Sequence, residues 1–497
     1  MSNSGGFNGL QHLFVLMLEN RSFDHMLGFS GITGREAVSD QPTRVLGLTG
    51  TESNRFNGQV FTVSQPADFV MPIDPGHEFS DVLHQLCGSS AVYSPGGPYP
   101  AIDGSGFVAA YASSGGQANS GEIMKCYAAN QLTVLNALAR EFAICDQWYA
   151  STPGPTWPNR MFAHAASSGG LDHSPTVQEI VQWETISGFS FPHGSIFDAL
   201  KGRNIARRLY AGDDFPMVAA LQGIGLGDIR HYSQFAGDLQ LGDFPFRYVF
   251  IEPSYDVLND YQNGASEHPR GDVTRGEALI KSTYEAIRNS RFWDTSALIV
   301  LWDEHGGFYD HAIPPAAAAP GDTAPDAAHN QHHFTFQQYG PRVPAIVVSP
   351  LIPKNVIDHR LYDHASIPST LEHWLGLGPL TGRDAAANQL GSLFSLSAPR
   401  TDAPATLPQP AASGAAGPGS PKTDVPAVIL SQPNEDVNQG NLPAVVHSAL
   451  RQDLQISPPE QRLAILNRVA GFKTRAQAAE YLKEVQEKVR PLRATAH

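Results

Sequence analysis

The chain has 497 residues, 41% of them hydrophobic, and a formal net charge of −15. That length suits one large folded domain plus an appendage, and the acidic balance argues against nucleic acid as the main partner, because phosphate-backbone binding needs a basic face. No run approaches the roughly 20 apolar residues needed to cross a bilayer, so any lipid contact is expected to be peripheral.

The first ten residues, MSNSGGFNGL, lack a basic stretch and an apolar core ahead of a cleavage site. No cleavable signal is therefore expected, and the protein would stay in the cytoplasm or leave by a signal-less route. HLFVLML (12–18) reads as a strand buried on both faces. It ends in Glu19-Asn20, a turn, an aromatic residue and Asp24-His25. A carboxylate at the end of a buried strand is costly unless something positive sits there. Cys87, Cys126 and Cys145 are odd in number and lack zinc spacing, which suits buried small residues and at most one bridge.

Apolar residues at helical spacing predict a helix over 120–142, followed by a strand over 142–148. In STPGPTWPNRMF (151–162), Pro153, Gly154, Pro155 and Pro158 force a tight turn just before another helix. Thr156 at that position is a candidate nucleophile: its hydroxyl is held by stiff backbone, and the free N–H groups of a helix start face any bound anion. The plainer reading is an ordinary Thr N-cap. Arg160 either holds phosphate or pairs with a nearby carboxylate.

Strands are predicted over 204–210 and 247–252, with a helix over 276–290. GIGLGD (223–228) is not a phosphate loop, since no Lys-Ser/Thr follows it and dinucleotide spacing is absent. SALIVLW (296–302) then repeats the first device, ending in Asp303-Glu304, a turn, an aromatic residue and Asp310-His311. Two such ends side by side in an open parallel sheet present three carboxylates and an amide oxygen to one crevice. That is a site for a hard, oxygen-liganded divalent cation, with Ca, Mg or Mn favoured over structural zinc. His305 and His311 would touch substrate or supply hydrogen-bonding support, while Asp24 and Asp310 would orient their neighbours. The Ala/Pro-rich stretch 312–330 is expected to form a mobile flap over the site.

A last strand is predicted over 345–350. The alternation of strands and helices predicts an α/β fold, a mainly parallel central sheet flanked by helices. Composition divides the chain into a catalytic domain (1–395), a Pro/Ala/Ser/Gly-rich linker (396–425) and a C-terminal helical tail (426–497). In the tail, Ser457 with Glu460 and Thr474 with Gln477 resemble two capping boxes, and Gly471 a helix stop, which predicts a helical hairpin. Such a tail serves packing or oligomerisation, or docks on a membrane surface or partner. The pattern sets no oligomeric state.

Seven segments carry a family resemblance: LENRSFDH (18–25), DPGHEF (74–79), CDQWYASTPGPTWPNRMF (145–162), IEPSY (251–255), WDEHGGFYDH (302–311), YGPRVPAIVVSP (339–350) and YDHASI (362–367). In this order they resemble the bacterial and plant phosphoesterases, a family that includes non-specific phospholipase C and related acid phosphatases. The resemblance runs over about the first 390 residues. It implies an alkaline-phosphatase-like α/β fold with a C-terminal helical appendage here. By the same resemblance Glu19, Asn20, Asp303 and Glu304 are metal ligands and Thr156 the nucleophile. His77 and His268 would contact the phosphate or the leaving group. His364 either supports the site or touches phosphate.

The implied chemistry is double displacement through a phosphothreonine, with His268 protonating the departing alkoxide and later activating water. The expected activity is a phospholipase C that cuts glycerophospholipids at a membrane surface or micelle into diacylglycerol and a phosphorylated head group. One rival is an acid phosphatase for soluble monoesters using the same site. Another is a catalytically silent metal- or anion-binding protein. Trp148, Tyr149, Trp157, Phe308 and Tyr309 would favour a lipid if they line the mouth, and would be core otherwise.

Overall fold

The strands His12–Leu18 and Ser296–Trp302 are parallel, hydrogen-bonded neighbours with Leu18 opposite Trp302. Both are buried along their whole length, as an uninterrupted apolar sequence requires of a strand covered on two faces. The computed structural model describes residues 6–183, 188–324, 327–413 and 432–495. Within it the pair occupies the middle of a ten-stranded sheet. Tyr248–Glu252, Arg207–Ala211 and Ile229–His231 extend the sheet on one side, all in parallel. On the other side Ala345–Val348 runs antiparallel to both its neighbours, Ser296–Trp302 and Ala143–Cys145. Val356–Asp358 and Thr33–Glu36 then resume the parallel direction, and Pro42–Arg44 closes the edge.

Helices cover the sheet, so the fold is α/β with a mainly parallel sheet. Thr133–Glu141 packs with Val273–Arg288, and Thr156–Ala165 with Ser366–Leu375. The helix expected over 120–142 is interrupted. A 3-10 segment (Gly116–Met124) and the helix Thr133–Glu141 are separated by extended chain. There the N–H groups of Cys126 and Tyr127 donate to Ser64 and His25 carbonyls and not to their own preceding turn. The Glu277 carboxylate accepts the N–H groups of Val134 and Leu135 and so restarts the helix. Likewise the strand expected over 142–148 is two pieces, Ala143–Cys145 and Trp148–Tyr149, in different sheets.

The described part of the expected flap is tied down and not free. Gln338 Nε2 donates to the Pro314 and Pro315 carbonyls, Arg383 Nε to Ala318, and the Gly382 N–H to Pro320. Residues 396–413 lie along the body, where Tyr284, Arg288 and Lys281 donate to the carbonyls of Pro404, Ala403 and Leu407. The rest of the expected linker, 414–425, falls outside the described residues.

The described part of the tail holds Leu442–Ile456 and then the two expected helices, Pro459–Ala470 and Arg475–Thr495. The first is buried from Leu442 through Leu454 and joins the main core. Thr474 and Gln477 do form the reciprocal cap. Ser457 does not: Pro458 is the N-cap, and the Ser457 hydroxyl donates to Asp453. All three cysteines are free.

Candidate active site

The register of the two central strands brings their acidic ends together. The Asp303 N–H donates to the Leu18 carbonyl, the Arg21 N–H to the Glu304 carbonyl, and the Asn20 N–H to Asp303 Oδ1 at 2.9 Å. Asn20 has a left-handed backbone (φ 57°), a conformation that asparagine tolerates better than most side chains. Gly306 packs against this turn, where a Cβ would stand 2.1 Å from the Asn20 carbonyl oxygen. The Asn20 amide donates to Glu304 Oε1, and Glu304 Oε2 accepts the Gly306 N–H at 2.7 Å. Glu19, Asn20, Asp303 and Glu304 are all fully buried.

Thr156 is the first residue of the helix Thr156–Ala165, and Pro155 is its N-cap. The Thr N-cap reading therefore fails: Pro155 occupies that place and offers no side-chain cap, so the Thr156 hydroxyl is not used up on its own helix. Asn159 staples the turn ahead of it, accepting the Thr152 N–H and donating to the carbonyls of Thr152, Gly154 and Pro155. One turn on, Arg160 Nε donates to Asp303 Oδ2 at 3.0 Å, and its Nη2 to the carbonyls of Met17 and Leu18. Arg160 thus pairs with a carboxylate, while its buried Nη1 has no partner. The contact also seats the start of the Thr156 helix over the ends of the central strands.

Charge is poorly balanced here. Burial raises Glu19 well above the usual carboxyl range and Asp303 adds to this, against Arg160 and the Ser266 hydroxyl. Burial raises Asp303 as well, opposed by Arg160 and supported by Glu304. Three buried oxygens, Glu19 Oε2, Asn20 Oδ1 and Thr156 Oγ1, have no hydrogen-bond partner. Buried polar atoms are mostly satisfied, and two oxygens left over among clustered carboxylates, with a third on the helix that Arg160 ties to them, fit a hard cation.

The histidines divide by what they touch. His77 Nδ1 bonds the Pro75 carbonyl at 2.9 Å and its Nε2 faces Asn20 Nδ2 at 3.4 Å. Burial lowers its pKa, but Glu304, Asp74 and Glu78 more than offset that and lift it to about 10. His268 lies 6.5 Å from His77, centroid to centroid, with Tyr261 stacked on it at 3.4 Å. His268 Nδ1 accepts the Arg270 N–H, which leaves Nε2 as the proton-bearing atom, 3.6 Å from Asp74 Oδ2. Burial, then His77, Arg21 and Arg270, hold it well below the ordinary imidazole value. His364 accepts from Trp148 Nε1 and bonds the Asp303 carbonyl through Nε2, so both ring nitrogens are engaged in support. His305 Nε2 bonds Gln85 Oε1 at 2.7 Å, and Gln85 donates to the Gly76 carbonyl, beside His77.

Asp24, Asp310 and His311 converge closely enough to suggest a second cation site, their ligand atoms lying within 4.8 Å of one another. Arg342 is already seated there. Its Nη2 donates to Asp24 Oδ1 at 3.0 Å and its Nε to Asp310 Oδ1 at 2.8 Å, while His311 Nδ1 bonds Asp24 Oδ2 at 2.6 Å. A fixed guanidinium offsets one of the two carboxylate charges, and a dication would meet its like charge.

Of the two readings of the aromatic residues, mouth or core, the structure shows core. Trp148, Tyr149, Trp157, Phe308 and Tyr309 are all buried, with Trp148 stacked on Tyr362, Trp157 on His447, and Phe308 against His25. Asp74, Asn159, Tyr261, Arg342 and Asn441 belong to the surroundings of the site and were not singled out from sequence. Arg342 and Asn159 sit inside the quoted motifs and were within reach; Tyr261 and Asn441 carry no local signal.

A family model described as the Phosphoesterase family matches residues 10–378. Non-specific phospholipase C6 of Arabidopsis thaliana is 35% identical over 80% of this chain and 75% of its own length. Phospholipase C B of Mycobacterium tuberculosis is 26% identical over 82% of this chain and 81% of its own. A crystal structure described as a protein in the alkaline phosphatase superfamily, from Vibrio parahaemolyticus, superimposes with a TM-score of 0.29 at 18% identity, covering 52% of this chain and 64% of that one.

Proposed function

The chain belongs to the phosphoesterase family and is a phosphoric ester hydrolase, and from that premise we propose that it is a metal-dependent phospholipase C working through a phosphothreonine on Thr156. The relatives named phospholipase C, plant and bacterial, support a glycerophospholipid substrate. The observations that support the mechanism are the unpartnered Glu19 Oε2 and Asn20 Oδ1 at the strand-end acids, and the unpartnered Thr156 Oγ1 on the helix that Arg160 ties to Asp303. Glu19, Asn20, Asp303 and Glu304 would hold Ca, Mg or Mn, which supplies Lewis-acid charge to phosphoryl oxygens and acidifies a coordinated hydroxyl.

Thr156 passes its hydroxyl proton to a solvent water and Oγ1 bonds to phosphorus while the bond from phosphorus to the glycerol oxygen breaks. His268 Nε2 gives its proton to the departing alkoxide, releasing diacylglycerol. In the free protein burial keeps His268 neutral; the negative phosphoryl group on arrival, with Asp74 beside Nε2, favours the protonated form, whose Nδ1 then releases the Arg270 N–H. Water then attacks the phosphothreonine, His268 takes its proton, Thr156 Oγ1 leaves and takes up a proton from solvent, and the phosphorylated head group departs. His77 donates to a phosphoryl oxygen, and Arg160 holds Asp303 and the helix start in place. Because phosphoryl transfer has a loose transition state, positioning and charge supply most of the rate.

The test is a panel of phosphatidylcholine, phosphatidylethanolamine and phosphatidylglycerol vesicles beside p-nitrophenyl phosphate, with chelator and with each divalent cation restored. Diacylglycerol release that stops with chelator and returns with cation is expected. Turnover of the soluble monoester alone would make the protein a phosphatase; turnover indifferent to chelator would remove the cation.

A further inference from the structure

The residue that holds Glu19 comes from the far end of the chain. The Asn441 amide donates to Glu19 Oε1 across 422 positions of sequence. Asn441 is buried, and its backbone N–H donates to the Tyr261 hydroxyl at 3.0 Å. Tyr261 is the ring stacked on His268, and Gly440 lies against it with φ 55°, where a Cβ would stand 2.7 Å from the hydroxyl oxygen. Asn441 is also the N-cap of Leu442–Ile456. That helix reaches the other wall of the site, where His447 stacks on Trp157 at 5.6 Å, next to Thr156. One tail element thus touches the wall beside Glu19, the ring behind His268 and the helix of Thr156.

We propose that Asn441 is a positioning residue for the cation site, fixing Glu19 by one carboxylate oxygen so that the other faces the ion. The proposal rests on the reading of Glu19 as a ligand. An ionised carboxylate only accepts hydrogen bonds, so a group that holds it must donate; the amide does, while aspartate would repel and leucine would offer nothing. With Oε1 engaged and Oε2 unpartnered, the rotation of Glu19 is set before a cation arrives. Partners behind a metal ligand change affinity by about 10–100-fold when removed. The C-terminal segment is then part of the ligand shell and not only a packing appendage.

The experiment titrates Mn2+ and Ca2+ separately into metal-free, full-length wild type, Asn441→Leu, Asn441→Ala, Asn441→Gln and Arg475→Ala by calorimetry, and records thermal unfolding of each. Arg475 ties the same tail to the body through the Val257 carbonyl without touching the acids, so its variant reports loosened docking alone. Expected are a cation Kd at least tenfold weaker in Asn441→Leu or Asn441→Ala, whichever folds, partial recovery in Asn441→Gln, and a wild-type Kd in Arg475→Ala despite a lower melting temperature. Should neither donor-free variant fold, Asn441→Gln against Asn441→Met, matched in length, carries the same comparison. Kd unchanged in the donor-free variants, or weakened equally in Arg475→Ala, overturns the proposal and leaves the cation reading standing. Wild type that binds neither ion overturns both.

Discussion

Arg160 donates to Asp303 at 3.0 Å from a helix whose first residue is Thr156, so one guanidinium joins the candidate nucleophile's helix to a candidate cation ligand. Both groups are buried, and removing one partner leaves a bare charge inside. Arg160→Met should destabilise the metal-free protein by about 3–5 kcal/mol in chemical denaturation, the usual cost of breaking a buried pair. Added cation should recover part of the loss, since it supplies positive charge at the same carboxylates. A variant as stable as wild type would show that the pair contributes nothing.

Thr156→Ala should lose about 10^3-fold or more in turnover on phospholipid vesicles, the scale on which removing a nucleophile acts. Its melting temperature should stay close to wild type, because Pro155 and Asn159 hold the turn without help from the hydroxyl. Thr156→Ser should remain active, and an acid quench during turnover should trap phosphate on residue 156 of the active proteins only. Turnover preserved in the alanine variant would remove Thr156 from the chemistry.

Acidity should oppose cation binding. Burial raises the carboxyl pKa of both Glu19 and Asp303, with Asp303 adding to the rise at Glu19 and Glu304 to that at Asp303. A raised carboxyl contributes stability below its unfolded value of about 4, and that contribution is lost as pH rises through the folded value. The metal-free protein therefore forfeits stability from these two groups between about pH 4 and neutrality, whereas the cation binds their charged forms and binds better as pH rises. The gap in melting temperature between Mn-loaded and chelator-treated protein should widen from pH 5 to pH 7.5, with protons released on binding. A gap that narrows over that range would contradict the assignment.

Of the two acidic clusters, only one should take a dication. Glu19→Gln with Asp303→Asn should abolish cation binding in calorimetry, although Asp24, Asp310 and His311 remain intact. Arg342→Met, in contrast, should cost about 3–5 kcal/mol by stranding two buried carboxylates. Tight binding that survives the first double substitution would place the ion beside Arg342.

Much of the centre was legible before any coordinates. The strands of residues 12–18 and 296–302 match the runs read from sequence, because beyond the opening His12 and Ser296 no polar position interrupts a strand covered on both faces. Periodicity says that a face is buried and not against what. Ala345–Val348 has the same composition as its parallel neighbours and runs the other way. The pattern over 120–142 is helical, yet tertiary hydrogen bonds at Cys126 and Tyr127 divide it. Trp157 and Phe308 looked like a lipid-facing lip because aromatic side chains suit either environment, and burial decides which. Asn441 was out of reach altogether: a single amide beyond a low-complexity stretch has no neighbour in sequence that betrays its partner.

Alternation of side chains along a strand gives the pairing of Leu18 with Trp302 a consequence for variation. Deleting or adding a single residue inside either seven-residue run would turn its acidic end to the opposite side of the sheet, or shift it one step out of line with its counterpart. Length changes should therefore be purged from these fourteen positions, whereas substitutions among Val, Ile and Leu there should be tolerated. Natural and laboratory-evolved variants should differ freely in hydrocarbon shape along this pair of strands and not at all in spacing.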